Sequence, residues 1–197
     1  AAGLVTALTA RRVYPGKKIV VTTTQEKTLI PCGIPYIFGT VQTSEKDILP
    51  SDKMFEANNI EMFVDEAELI DLENKTVKYT SGQSIAYDKL VIGTGSTPIK
   101  PSWLKGADYP NVFTVPKNKA YLDQMQASLQ QFKKIVVIGG GFIGVEISDE
   151  LRKSGKDITL VEKLPHVLNL AFDADVALPA ETLLKERGVK VLTGQGV

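Results

Sequence analysis

Two short segments of the chain combine residue types that bind nucleotides and carry electrons. In the glycine run at residues 139–144, Gly139, Gly141 and Gly144 fit the pattern Gly-x-Gly-x-x-Gly. The other segment holds Cys32, which is the only cysteine in the sequence. A glycine turn before a helix lets a pyrophosphate reach backbone N–H groups, and a thiolate attacks disulfides and peroxides. The two segments therefore predict dinucleotide binding and thiol chemistry.

The residues around the glycine run supply the elements that such a site needs. Lys134–Ile138 predicts a strand, and residues 142–154 predict a helix. A second strand, predicted at 157–162, ends in an acid that follows Gly139 by 23 residues (162 − 139), near the roughly 20 expected for a ribose-binding acid. A carboxylate at Glu162 accepts both ribose hydroxyls and repels a 2′-phosphate, so the sequence favours NADH, with NADPH possible. A glycine-rich turn without a ligand is the alternative.

The N-terminal residues look like the last part of a second glycine motif. Gly3 would be its third glycine, and residues 4–12 predict the helix that follows. Gly3 to Val21 then repeats the order of Gly144 to Val161, which is a glycine-opened helix leading to an apolar strand. An ordinary surface helix is the alternative at this end.

Cys32 lies in a loop that proline and glycine hold in shape. Pro31 and Gly33 flank it, and a helix opening nearby would favour the thiolate, which is the reactive form. The alternative is a buried structural cysteine that behaves as a small hydrophobic residue. A single cysteine cannot form a disulfide within the chain, so we expect a cytoplasmic location.

Strands alternate with helices along the chain, which predicts an α/β fold with a parallel, doubly wound sheet. We interpret it as two tandem Rossmann-like nucleotide-binding units, both incomplete, at residues 1–115 and 116–197. The first lacks its first strand and its C-terminal segment, and the second is truncated. Further helices are predicted at 50–58, 118–132 and 174–187, and further strands at 18–23, 60–63, 89–92 and 189–192, with short strands across 66–88.

Composition excludes several other classes of function. The 23 Lys and Arg balance the 23 Asp and Glu, so no charged field favours nucleic acid or an anionic membrane. The longest apolar stretch, near residues 134–147, is broken by glycines and is too short to span a bilayer. The N-terminus does not show a basic segment followed by an apolar run, so we predict no signal peptide. No His and Cys spacing predicts a metal site, and His166 reads as a surface residue.

Taken together, these segments resemble the pyridine nucleotide–disulfide oxidoreductases. The resemblance covers nearly the whole chain and is carried by residues 1–3, 31–36, 87–98 and 139–162. Within the family, the string Cys-Gly-Ile-Pro-Tyr is most similar to the single-cysteine branch of coenzyme A-disulfide reductase, NADH oxidase and NADH peroxidase. Position 37 is Ile, where two-cysteine members carry the partner cysteine.

The resemblance implies a full set of roles for residues of this chain. FAD would bind residues 1–115 and NAD(P)H residues 116–197, and Cys32 would be the catalytic thiol that reduces a small disulfide or persulfide. Thr22–Thr24 stand where the family carries an acid for the FAD ribose. The implied cofactor residues are Gly3, Thr94 and Gly95 for FAD and Gly139, Gly141, Gly144, Glu146 and Glu162 for NAD(P)H, with Glu146 near the nicotinamide.

Substrate and assembly are also implied by the resemblance. Arg12 and Thr28 fit the family's coenzyme A contacts, whereas Val5 and Pro31 do not. Ala1 stands where peroxidases of the family often have histidine. One alternative is an NADH oxidase that reduces oxygen or peroxide. A second is a catalytically incompetent nucleotide-binding fragment, and a third is an electron-carrier reductase in which Cys32 is incidental. The family further implies a homodimer for the full-length protein.

Overall fold

The computed structural model describes all residues from 1 to 197. It has a mixed α/β fold, as predicted, that divides into two compact units. The first unit contains Ala1–Thr28 and Ile48–Thr97, and the second contains Leu29–Asp47 and Pro98–Val197. This division follows contacts within the chain and does not test which residues bind which cofactor. The assignment of FAD to residues 1–115 and of NAD(P)H to residues 116–197 therefore stays a prediction.

The first unit is built from helix α1, a parallel strand pair and an antiparallel meander. Two-residue strands lie where the chain passes between the units. In chain order the elements are α1 (Ala2–Val13), β1 (Val20–Thr23), β2 (Thr28–Leu29), β3 (Ile48–Leu49), α2 (Ser51–Ala57), β4 (Glu61–Val64), β5 (Ala67–Asp71), β6 (Thr76–Tyr79) and β7 (Ser84–Ala86).

The core of the first unit forms where α1 and α2 cover the β1–β4 pair. Strands β1 and β4 run parallel, with Val21 opposite Met62. Ala7, Phe55 and Ile60 are buried together, and Leu4 and Leu8 of α1 pack against them at helical spacing. The predicted turn at 81–82 joins β6 to β7, and Gly82 there has a φ of +84°.

The strand predicted at residues 89–92 is not formed. These residues have no regular secondary structure, and Val91 and Ile92 are exposed. An isolated extended segment needs a neighbouring strand to accept its backbone hydrogen bonds. In this unit β1 pairs with β4, and residues 89–92 do not pair with either strand.

The second unit contains a three-stranded parallel sheet with helices between its strands. The strand order is β10-β9-β8, and Val137 of β8 lies opposite Leu160 of β9. Ile147 and Leu151 of α4 and Leu160 of β9 are buried, since the apolar face of the helix covers the sheet. The elements are α3 (Lys119–Leu129), β8 (Lys134–Ile138), α4 (Phe142–Lys153), β9 (Asp157–Val161), α5 (Ala174–Glu186) and β10 (Lys190–Leu192).

The cysteine segment, Leu29–Asp47, also belongs to this second unit. It contains two short 3-10 helices, Ile34–Phe38 and Ser44–Asp47, which the sequence pattern did not predict. Ile37 and Phe38 of the first are buried. No helix of the chain is both long and apolar enough to cross a membrane.

Candidate functional site

The glycine motif forms a tight strand–turn–helix junction between β8 and α4. Gly139 adopts a φ of +101°, a conformation that favours glycine, and its N–H donates to the Val161 carbonyl at 2.8 Å. An added Cβ at Gly144 would overlap the Gly139 carbonyl oxygen, so only glycine lets α4 approach the turn this closely. Gly141 is the N-cap of α4 and has open space beside its Cα.

Glu162 lies directly against this turn, as the spacing predicted. Its carboxylate accepts hydrogen bonds from the Gly140 N–H at 2.5 Å and from the Leu164 N–H at 2.7 Å. The acid at the end of β9 and the glycine turn therefore form one site. The N–H groups that open α4 and the partial positive charge of its N-terminus suit a pyrophosphate. These residues fit a dinucleotide, with Glu162 at the ribose.

The first unit brings its own predicted cofactor residues together. Gly3, in the first turn of α1, lies against Gly93: an added Cβ at Gly93 would lie 3.3 Å from the Gly3 nitrogen. Thr94 and Gly95 follow at once and are exposed, and Gly95 has a φ of +76°. A side chain at Gly93 would fill this cradle, so the residues fit the pyrophosphate of FAD at the start of α1.

The end of β1 in the first unit differs chemically from the end of β9 in the second. Strand β1 ends in threonines rather than an acid. The Thr22 hydroxyl shares a hydrogen bond of 2.9 Å with the Tyr79 hydroxyl, and the Thr23 hydroxyl accepts from the Gln25 N–H at 3.2 Å. The chain therefore offers hydroxyl groups where Glu162 offers a carboxylate in the second unit.

Cys32 is exposed and unbridged, in a turn that leads into the 3-10 helix Ile34–Phe38. The exposure contradicts the alternative of a buried structural cysteine. The Gly33 N–H closes the turn by donating to the Ile30 carbonyl at 2.8 Å. Buried Ile37 and Phe38 fix the helix below, so the thiol stands on an ordered support.

A buried acid lies beneath the cysteine turn. The Asp47 side chain is in contact with Gly33, where an added Cβ would lie 2.7 Å from the Asp47 Cγ. Asp47 is 5% exposed, and its Oδ2 is buried without a hydrogen-bond partner. Burial raises the pKa of the Asp47 carboxyl above its ordinary value. A side chain at position 33 would therefore displace the Asp47 carboxyl, and burial disfavours the charged form of that acid.

A second buried acid joins the cysteine segment to α4. Glu150 accepts from the Thr40 N–H at 2.7 Å and pairs with Lys153 at 2.5 Å, and Lys153 Nζ donates to the Thr40 hydroxyl at 3.0 Å. Burial alone would raise the pKa of Glu150, but the hydrogen bonds from Lys153 and Thr40 outweigh it and lower the pKa. The amide of Gln126 on α3 adds hydrogen bonds to the Ile37 and Gln42 carbonyls.

Tyr36 of the cysteine segment and Glu146 of α4 line one surface pocket of about 180 Å³. Its floor includes Leu183 and Leu184 of α5, and the Arg187–Asp149 ion pair lies among its lining residues. The pocket shows that the cysteine segment and the nucleotide helix share a surface. Glu146 itself is exposed there.

The two residues predicted to contact coenzyme A both belong to the first unit. Arg12 is exposed in the last turn of α1, and the Thr28 hydroxyl accepts a hydrogen bond from the Ser51 hydroxyl at 3.0 Å. Their role in substrate binding stays a prediction. No group of three or more His, Cys, Asp or Glu side chains is arranged to hold a metal ion.

Sequence reasoning missed Asp47 and Glu150. One acid among many exposed ones carries no mark of its burial. The signal that was available for Glu150 was its place on the apolar side of α4, one residue before buried Leu151. For Asp47 there was none, because the 3-10 helix that turns it inward was not predicted.

Comparisons with known proteins agree with this geometry. A model of the pyridine nucleotide-disulphide oxidoreductase family matches residues 1–197. The chain is 33% identical to an NADH oxidase of Methanocaldococcus jannaschii, with 98% of the chain and 45% of that protein covered. It is 28% identical to an NAD(P)H coenzyme A polysulfide/persulfide reductase of Pyrococcus horikoshii, with 94% and 43% covered.

A solved structure gives the same result. The water-forming NADH oxidase of Lactobacillus brevis bound to NADH superposes with a TM-score of 0.86 at 28% identity, over 100% of this chain and 45% of that one. The chain thus spans somewhat under half the length of the relatives it matches. The family and the NADH-bound neighbour indicate FAD and NAD(P)H as the cofactors, and they confirm the predicted family resemblance. The chain belongs to the pyridine nucleotide-disulphide oxidoreductase family.

Proposed function

We propose that this chain provides the cysteine and nucleotide-binding segments of an FAD- and NAD(P)H-dependent reductase of small disulfides or persulfides. The observation that carries the proposal is the exposed Cys32 thiol on an ordered support, in the same compact unit as the glycine motif and Glu162. The relative of P. horikoshii, which is named for coenzyme A persulfide reduction, supports this acceptor class.

The residues of the chain divide the work as follows. The Gly139 turn and the start of α4 bind the pyrophosphate of NAD(P)H, and Glu162 binds its ribose, with NADH preferred. Residues 1–115 bind FAD through Gly3, Thr94 and Gly95. Bound together, NAD(P)H and FAD supply two electrons to a cysteine disulfide, as their known chemistry allows. Glu146 lies at the nicotinamide end of α4.

Cys32 performs the thiol chemistry. Its thiolate attacks one sulfur of the substrate disulfide, which forms a mixed disulfide and releases one thiolate. Cleavage of the mixed disulfide takes two electrons, which one bound NADH would supply through FAD, and it would release the second thiol and restore Cys32. The overall reaction converts one NADH, one proton and one disulfide into NAD⁺ and two thiols. Arg12 and Thr28 are the proposed contacts for a coenzyme A group.

The relative named NADH oxidase favours a second candidate, the reduction of oxygen. In that reaction two NADH and two protons convert one O₂ into two waters. The full-length protein is further proposed to be a homodimer. A location in the reducing cytosol is proposed as well, since the single cysteine of this chain has no partner within it for a structural disulfide.

The test compares the full-length wild type with Cys32→Ser and Cys32→Ala. NADH oxidation is followed by absorbance with coenzyme A disulfide under nitrogen, and separately with oxygen alone. Disulfide-dependent oxidation should fall to the uncatalysed background in both variants, while flavin absorbance is retained. Full disulfide turnover by Cys32→Ser would refute the role of the thiol. Turnover with oxygen and none with disulfide in the wild type would establish the oxidase instead.

A further inference from the structure

The cysteine segment is attached to the nucleotide helix by one unusual group, a carboxylate in a nearly dry environment. Glu150 is 3% exposed, on the side of α4 that faces the end of the 3-10 helix Ile34–Phe38. Its neighbour on the segment is Gly39, where an added Cβ would lie 2.7 Å from Glu150 Oε2 and 2.9 Å from its carbonyl carbon. The segment therefore meets α4 at backbone distance.

The donors around this carboxylate come from both sides of the contact. The Thr40 N–H, from the cysteine segment, donates to Oε2 at 2.7 Å, and Lys153, from α4 itself, pairs with Oε1 at 2.5 Å. Lys153 also donates to the Thr40 hydroxyl at 3.0 Å, which closes a ring of three groups. Charge-assisted hydrogen bonds of this kind are short and directional, so they fix geometry as well as add energy.

Stability alone does not account for a carboxylate in this place. Removing an ion pair from water costs about as much as its attraction returns, and apolar residues of similar size are often equally or more stabilising. What an apolar residue cannot do is accept a hydrogen bond from one specific backbone N–H. The group at position 150 therefore specifies where Thr40 lies.

The location of the contact gives that placement a consequence. Glu150 lies eight residues after Phe142, so it is about 12 Å along α4 from the turn that binds the dinucleotide. Thr40 lies two residues after the 3-10 helix Ile34–Phe38 and Cys32 lies two residues before it, and the helix between them is about 10 Å long at 2.0 Å per residue. One rigid helix thus connects the nucleotide turn to the support of the thiol.

We infer that Glu150 is a positioning residue for Cys32: through the Thr40 N–H it holds the cysteine segment in a fixed place on the helix that binds the pyridine nucleotide. This inference rests on the proposed function for its catalytic meaning. The placement itself is a property of the folded chain and is measurable without turnover.

Helix α5 supplies a matched control. Glu181 is 5% exposed, pairs with Lys185 at 2.6 Å and accepts from a loop N–H, that of Val167, at 3.3 Å. It is therefore a buried acid with the same kinds of partner. Its loop does not belong to the cysteine segment, so its loss removes a buried acid without releasing Thr40.

The experiment measures the rate at which a disulfide reagent labels Cys32 in Glu150→Ala, Glu150→Gln and Glu181→Ala, below the unfolding transition of each. We expect Glu150→Ala to change the labelling rate by about tenfold or more, because the cysteine segment loses the charge-assisted hydrogen bond that holds it on α4. Glu150→Gln keeps an acceptor for Thr40 and should return to within about threefold of the wild type. Glu181→Ala should label like the wild type. Equal rates in the two alanine variants would overturn the inference, as would a glutamine variant that labels like Glu150→Ala.

Two further measurements complete the test. In the unmodified chain, the Thr40 amide should exchange with solvent as slowly as the interior of α4, and exchange at the rate of an unstructured peptide would overturn the inference without any variant. In the full-length protein, Glu150→Ala should lower kcat with disulfide while KM for NADH stays within about twofold. A wild type inactive with disulfide would refute the proposed function and leave the labelling result standing.

Discussion

Replacing Gly144 by alanine should separate the structural from the ligand-binding glycines of the turn. The ideal Cβ at Gly144 overlaps the Gly139 carbonyl oxygen and lies 3.0 Å from its carbonyl carbon. Carbon atoms in contact stay about 3.5–4.0 Å apart. The helix must therefore move by at least about 0.5 Å, because the obstacle is backbone rather than the end of a flexible side chain.

The cost of this movement follows from what holds the two sides. The Gly139 N–H is fixed to the Val161 carbonyl at 2.8 Å, and α4 is fixed by buried Ile147 and Leu151. Overpacking of a well-packed interior costs about 1–3 kcal/mol, and a backbone obstacle belongs at the upper end of that range. We expect Gly144→Ala to lower the free energy of unfolding by about 2–3 kcal/mol.

Gly141→Ala is the matched control, since it adds the same methyl group to the same turn. Its φ is −74°, and no atom lies within 4 Å of its added Cβ. Urea unfolding should therefore show a change below about 0.5 kcal/mol, whereas NADH titration followed by fluorescence should show weakened binding, because the methyl group occupies the approach of the pyrophosphate. A Gly144→Ala variant as stable as the wild type, or equal destabilisation by both, would refute this assignment of roles.

Three other outcomes follow from the acids. Burial raises the pKa of Asp47 above its ordinary value of 3.8, so the carboxyl loses its proton at lower pH in the unfolded chain than in the folded one. In urea unfolding, Asp47→Asn should therefore stabilise the fold by about 1 kcal/mol at pH 7 and should have no effect below pH 3.8. The pKa of Glu150 in the folded chain is lowered below 4.5, so its contribution to the free energy of unfolding is present above pH 4.5 and is lost as pH falls through that lowered pKa. The free energies of unfolding of wild type and Glu150→Gln should differ by about 1–3 kcal/mol at pH 6 and should converge in acid. Glu162→Ala should weaken NADH binding about tenfold or more and NADPH binding less, by fluorescence titration, and equal losses would contradict the ribose assignment.

The sequence predicted the second unit well because its signals are local. A β-branched run, three glycines at fixed spacing and an amphipathic helix each determine their own conformation, and together they locate Glu162 at the turn. Asp157–Val161 and Phe142–Lys153 accordingly lie within a residue of their predicted bounds. The family resemblance likewise predicted Thr94 and Gly95 near the Gly3 helix, and Gly93, which precedes them, lies against Gly3.

The features that escaped prediction depend on contacts distant in sequence. An apolar run at residues 89–92 looks like a strand, but a strand exists only where another strand accepts its hydrogen bonds. The 3-10 helix Ile34–Phe38 has too few residues for a periodic pattern. Glu150 meets Thr40 across 110 residues, and its place on the apolar side of α4 does not identify the loop that it contacts.

The same device appears twice in the second unit, and its repetition argues for a common purpose. Glu150 on α4 and Glu181 on α5 are both buried, both pair with a lysine one turn later, and both accept a loop N–H. The first loop leads back to Cys32. The second follows Glu162, and its Leu168 N–H donates to the Gly140 carbonyl at 2.7 Å. Loops that are ordered before a ligand arrives lose less conformational entropy when it binds. Two helices that each use a costly buried charge to fix a loop are therefore better explained by a preformed dinucleotide and thiol site than by the stability of the fold.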